Sequence, residues 1–141
     1  MKRMVFVIGV LIFSLISCVE KSSHEKAMEL LENLSTELML CTTQEQYDVV
    51  YEKVVAIKDN PKFGQIEGET NEQKGEIIAG TAKLIQEALA VKAILYCMPD
   101  GVKPTSEDIK TLVGICLERN LNIILQPYSD VHEMLCKYYR L

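Results

Sequence analysis

The 141-residue sequence has no tryptophan, only two histidines and too little positive charge to balance its acids. It contains 15 basic and 20 acidic residues, which give a formal net charge of −5. Binding to nucleic acid in general needs a basic surface that neutralises phosphates, so this balance excludes that function class. Apolar residues make up 48% of the chain, which excludes a disordered protein, and the length suits one domain of ordinary size.

Sequence motifs of common enzyme chemistries are missing as well. The chain has no Gly-x-Ser-x-Gly elbow, no Cys-x-x-Cys pair, no glycine-rich phosphate loop and no His-Glu-x-x-His. Only His132 could act as a base for a cysteine, and its spacing to Cys136 is helical. We therefore predict that the protein is not an enzyme, with no catalytic residues and no bound cofactor.

His132 and Cys136 are four residues apart, so on a helix they would share one face as candidate metal ligands. A structural zinc site needs about four ligands, and only His24 and scattered cysteines remain to complete one. The sequence therefore predicts no metal site and a surface histidine beside a core cysteine.

The chain has a single long hydrophobic run, and it lies in the first 17 residues, of which 12 are apolar. Lys2 and Arg3 precede an uncharged stretch, residues 4–16, and Ser17 follows; this is the layout of a secretory signal peptide. Thirteen helical residues span about 20 Å, less than the roughly 30 Å hydrocarbon core, so we predict cleavage rather than a spanning helix. The remaining 124 residues carry 13 basic and 20 acidic side chains, a net charge of −7.

The junction Leu15-Ile16-Ser17-Cys18 resembles the lipobox of bacterial lipoproteins. The resemblance implies that residues 1–17 are removed and that Cys18 receives a diacylglyceryl group with palmitate-type chains, which together anchor the protein to a membrane. Val19 stands where an aspartate would resemble an inner-membrane retention signal. The implied location is thus the bacterial cell envelope, at the outer membrane where the host has one. A plain secretory signal that contains a cysteine is the alternative.

Beyond a lipidated N-terminus and short tether, residues 18–23, we predict a helical domain over residues 24–141. Apolar residues recur there at intervals of three and four, and helix-cap signals separate the segments. The pattern indicates an all-α bundle of about five helices, with a third helix of roughly 40 Å as its spine and residues 59–70 as its longest loop. The predicted helix starts are Ser22, Thr43, Thr70, Pro104 and Ser129. Leu30 and Ile78 are among the predicted inward residues, and Gly80, beside Ala79 and Ala82, predicts a close helix approach or a kink.

Four cysteines follow Cys18, an even number that permits two disulfides with three connectivities in an exported domain. Each lies within or beside an apolar helical stripe, where free cysteine behaves as a small buried hydrophobe. A domain of 124 residues can bury a sufficient core without disulfides, so we favour free thiols and keep disulfides as the alternative. The residues concerned are Cys41, Cys97, Cys116 and Cys136.

Six of the nine aromatic residues are tyrosines, which anchor interfaces through flat apolar area and a polar tip. Tyr138, Tyr139 and Arg140 form the candidate interface, because adjacent helical residues cannot both point into one core. We expect a lipid-anchored, non-catalytic domain that binds a protein at the envelope. A more specific version is an immunity or inhibitor protein that masks a basic toxin in the periplasm. The alternative is a small-ligand or peptide binder with a pocket between helices, framed by the third helix and residues 59–70.

Overall fold

The protein, seen in a computed structural model, is described over residues 23–60, 63, 70–119 and 129–141. Of these residues 79% are helical and none lies in a strand, which confirms the predicted all-α bundle. The five helices are α1 (Ser23–Met39), α2 (Gln44–Lys58), α3 (Asn71–Tyr96), α4 (Ser106–Glu118) and α5 (Ser129–Tyr138). α1 begins at Ser23, one residue before the predicted start of the helical domain at residue 24. The signal peptide, the lipobox with Cys18 and most of the 59–70 loop lie outside the described residues.

Threonine caps start three of the helices: Thr43 and Thr70 lie at predicted starts, and Thr105 lies one residue after the predicted start at Pro104. The Thr43 hydroxyl accepts from the Gln46 amide at 3.2 Å at the start of α2. At the start of α3, Thr70 and Gln73 exchange two such bonds as a capping box, and at the start of α4 Thr105 and Asp108 do the same. Each side-chain oxygen satisfies an amide that has no partner within its helix, so local chemistry fixes these boundaries.

The predicted spine is confirmed in α3, whose 26 residues extend about 39 Å. It packs against each of the other four helices. Its second half is nearly apolar, and buried residues face more than one neighbour there: Leu84, Ala88, Ala90, Val91, Ala93, Ile94 and Leu95. The core of the bundle therefore surrounds the C-terminal half of α3.

Two residues predicted to face inward are exposed. Leu30 in α1 has 43% of its surface accessible, and Ile78 in α3 has 67%. In both helices the adjacent residue, Leu31 or Ile77, takes the buried position instead. Consecutive helical residues point about 100° apart, so in each of these two pairs one side chain lies outside the buried stripe.

α1 and α3 approach closely at Gly80, as the sequence predicted. A Cβ atom added at Gly80 would lie 2.9 Å from the Cδ1 atom of Leu31, closer than two carbons pack. Ala79 and Ala82 are exposed, so the small-residue contact involves the glycine and not its alanine neighbours.

No helix in the described ranges combines the length and hydropathy needed to cross a membrane.

Candidate functional site

The candidate site lies along α5 and the helix ends beside it. Val131, Met134 and Leu135 are buried and fix one face of α5 against the bundle. The remaining positions of α5 carry His132, Cys136 and Tyr138 toward the surface. Packing of α5 against α3 therefore determines which side chains the site presents.

Tyr138 and Tyr139 both donate hydrogen bonds to one carboxylate. The Tyr138 hydroxyl lies 3.0 Å from Oδ1 of Asp108 and the Tyr139 hydroxyl 3.2 Å from Oδ2. Their rings meet edge to face, with centroids 4.9 Å apart at an interplanar angle of 86°. Tyr138 is exposed and Tyr139 is half-buried, so the structure places the two predicted interface tyrosines together at the surface.

The charge of Asp108 holds this arrangement at neutral pH. The Thr105 amide donates to its carboxylate and is the main cause that lowers the pKa of Asp108, and the tyrosine hydroxyls lower it further. Burial, followed by the Asp108 charge, raises the pKa of Tyr139 to about 12. The hydrogen bond to Asp108 is the main cause that raises the pKa of Tyr138. Asp108 therefore stays a charged acceptor and both hydroxyls stay donors.

Arg140 ends α5 in the left-handed conformation, with φ of 57°. Its amide donates to the Lys137 carbonyl at 3.2 Å, and the Leu141 amide donates to the Cys136 carbonyl at 2.8 Å. These two bonds form a Schellman motif, in which glycine is the usual residue at the left-handed position. Arg140 and Leu141 are exposed and continue the surface begun by the tyrosines. We call Tyr138, Tyr139, Arg140 and Leu141 the tyrosine face.

His132 and Cys136 lie side by side, as their spacing predicted. The Sγ atom of Cys136 is 3.6 Å from Nε2 of His132. The other ring nitrogen, Nδ1, is 3.4 Å from the backbone carbonyl oxygen of Cys97, the residue that caps α3. Within the described ranges, no three His, Cys, Asp or Glu side chains group together as a metal site would require.

The four cysteines that could form disulfides are free thiols in the structure. Cys41, Cys97 and Cys116 are buried, and only Cys136 is partly accessible. Burial raises the pKa of Cys41 and Cys116 to about 11 and that of Cys97 above its usual value. Thiols in such surroundings stay protonated and react slowly, which leaves Cys136 as the accessible thiol of the four. Disulfide pairing of these cysteines stays the alternative that the sequence permits.

Two charged residues with defined roles were missed by sequence reasoning. Glu87 is only 5% exposed, and its Oε2 atom accepts from the Ser35 hydroxyl of α1 at 2.8 Å. Glu87 is three residues from Leu84 and four from Val91, which places it on the buried stripe of α3. The sequence therefore does contain a signal for the burial of Glu87. The Thr105-x-x-Asp108 pattern likewise signals a capping box, although the contact of Asp108 with the tyrosines depends on tertiary packing.

No family model, curated protein or solved structure matches the chain.

Proposed function

We propose that the protein is a bacterial lipoprotein, anchored by acyl chains on Cys18, whose helical domain binds another protein at the cell envelope without catalysing a reaction. The similarity of residues 15–18 to a lipobox supports the anchor. The tyrosine face supports the binding role and is the observation on which it rests.

The tyrosine face has the chemistry of an interface anchor. Tyrosine and arginine are among the residues that contribute most binding energy at protein interfaces. Asp108 holds both tyrosine hydroxyls, so the rings are ordered before any partner arrives. Side chains that are already ordered lose less conformational entropy on binding, which favours affinity.

The tether places the domain close to the membrane. Four residues, 19–22, separate Cys18 from the first helical residue, Ser23. Even a fully extended chain would span only about 17 Å over this distance. The partner is therefore expected to be membrane-proximal as well, at the outer membrane where the host has one.

Two alternative functions, an immunity protein and a small-ligand or peptide binder, gain no specific support. An immunity protein for a basic toxin needs one acidic face, whereas exposed acids occur on all five helices, for example Glu32, Glu52, Glu76, Glu107 and Glu133. A ligand pocket between α3 and residues 59–70 stays a prediction, because most of that loop lies outside the described residues.

Lipid anchoring is tested by fractionating cells that express the full chain. We expect the protein in the membrane fraction, and mass spectrometry should find diacylglyceryl on Cys18. Cys18→Ser should move it to the soluble or unprocessed fraction. An unmodified Cys18 in the mature protein would contradict the anchor and leave the binding role to be tested separately.

Partner binding is tested by placing a photo-crosslinking amino acid at exposed Lys137, beside the tyrosine face, in living cells. We expect one discrete adduct, and Tyr138→Ala should reduce its yield about tenfold, as loss of a binding hot spot would. The matched control is Tyr96→Ala, which removes a similarly exposed tyrosine from α3. No adduct, or equal loss in both variants, would refute binding through the tyrosine face.

A further inference from the structure

We propose that His132 and Cys136 form a two-ligand binding site for a thiophilic divalent metal ion such as Zn²⁺. This site is distinct from the tyrosine face, and its existence does not depend on lipid anchoring. Three observations carry it: the separation of the two donor atoms, the orientation of the imidazole and the accessibility of the pair.

The donor atoms are already separated as a tetrahedral metal would require. Zinc binds thiolate at about 2.3 Å and imidazole nitrogen at about 2.0 to 2.1 Å. At a tetrahedral angle these bond lengths put the two donor atoms roughly 3.6 Å apart. The observed distance from Cys136 Sγ to His132 Nε2 is 3.6 Å, which matches this separation.

The imidazole is oriented by a backbone carbonyl. Nδ1 of His132 faces the carbonyl oxygen of Cys97 at 3.4 Å, and only a protonated Nδ1 can donate to that oxygen. This tautomer leaves a free lone pair on Nε2, the ring nitrogen that lies beside Cys136. Histidines that bind metals almost always donate their second ring nitrogen in this way, which fixes the ring and strengthens the ligand. Because Cys97 caps α3, the orienting group belongs to the central helix.

The pair is accessible, unlike the other cysteines. His132 is exposed and Cys136 is half-buried, whereas Cys41, Cys97 and Cys116 are buried. A closed structural zinc site requires about four protein ligands, and the pair supplies two of them. An open site needs fewer, because water or a second chain fills the remaining positions.

The site is tested with the full-length protein in detergent, titrated with Zn²⁺ against a chromophoric chelator and, separately, with Co²⁺. We expect saturable Zn²⁺ binding and a thiolate-to-cobalt charge-transfer band with the visible bands of tetrahedral Co²⁺. His132→Gln and Cys136→Ser should each weaken Zn²⁺ binding at least about tenfold, and Cys136→Ser should remove the charge-transfer band. His24→Gln and Cys41→Ala are the matched controls and should change neither measurement.

A measurement without substitutions covers the case of a variant that misfolds. Zn²⁺ should slow alkylation of Cys136 in the unaltered protein, because a metal-bound thiolate is shielded from the reagent. One ion per chain or one per two chains would both support the site, the second assigning the open positions to a second copy. Equal alkylation rates with and without Zn²⁺, or unchanged affinity in both ligand variants, would overturn it.

Discussion

At the scale of single residues, Asp108 links the start of α4 to the end of α5. Its carboxylate accepts from the Thr105 amide and from the hydroxyls of Tyr138 and Tyr139. The bond to Thr105 follows from the local capping-box pattern, so the sequence alone could predict it. The bonds to the tyrosines require α5 to approach α4, and no spacing within the sequence encodes that approach.

Asp108→Asn should destabilise the protein by about 1 kcal/mol at pH 7, because it removes the capping carboxylate and its charge from the start of α4. The pKa of Asp108 is lowered in the folded protein, so its contribution is present above the ordinary aspartate pKa of about 3.9. That contribution is lost as the pH falls through the folded pKa. The difference in unfolding free energy between the wild type and Asp108→Asn should therefore shrink as the pH falls below the ordinary aspartate pKa.

Urea denaturation followed by circular dichroism at a series of pH values measures this difference. Glu107→Gln is the control, since Glu107 shares the first turn of α4. It should cost only a few tenths of a kcal/mol through the helix dipole. A difference between the wild type and Asp108→Asn that does not change with pH would show that the Asp108 charge does not stabilise the fold.

At the scale of helices, starts were predicted better than faces. Thr43, Thr70 and Thr105 cap their helices with groups three residues away, so the necessary information is local. The inward direction of Leu30 and Ile78 was predicted wrongly, because their exposure depends on where neighbouring helices cross. A local pattern of apolar residues identifies adjacent residues that can each lie on the buried stripe. Tertiary packing then determines which of the two is buried.

The helical glycines should respond oppositely to substitution. Gly114→Ala should stabilise the protein by about 0.5 to 1 kcal/mol, because alanine favours the helix and the added Cβ meets no atom within 4 Å. Gly80→Val should destabilise it by about 1 to 3 kcal/mol, since the larger side chain must displace Leu31 at the contact with α1. Urea midpoints of the two variants and the wild type measure both changes.

Gly75→Ala serves as a control within α3 itself, because its added Cβ is also unobstructed. It should resemble Gly114→Ala. If Gly80→Val were as stable as the wild type, α1 and α3 would lie further apart than the structure places them.

At the scale of the whole molecule, α3 connects every other helix to one core. The sequence predicted its length and central role from its caps and apolar content. It also predicted the proximity of His132 and Cys136 from their spacing. It could not predict the position of the Cys97 carbonyl beside His132, because residues 97 and 132 meet only through the packing of α5 on α3.

A shared core predicts one cooperative unfolding transition. Leu34 in α1 and Leu135 in α5 are buried in the same cluster. Replacing either with alanine should lower the free energy of unfolding by about 2 to 5 kcal/mol. Far-ultraviolet circular dichroism and tyrosine fluorescence should report coincident transitions in both variants.

Leu40→Ala is the control, because Leu40 is 61% exposed, and it should change stability by less than about 0.5 kcal/mol. Separate transitions for the two probes would contradict a single cooperative unit.

The central position of α3 also determines the order in which the chain can fold. α1 and α2 precede α3 in the chain, and most of the buried residues of both helices belong to the cluster that α3 completes. A chain that emerges N-terminus first from a ribosome therefore carries two amphipathic helices with uncovered apolar stripes until residues 71–96 follow. During that interval the apolar stripes of both helices are open to binding by chaperones.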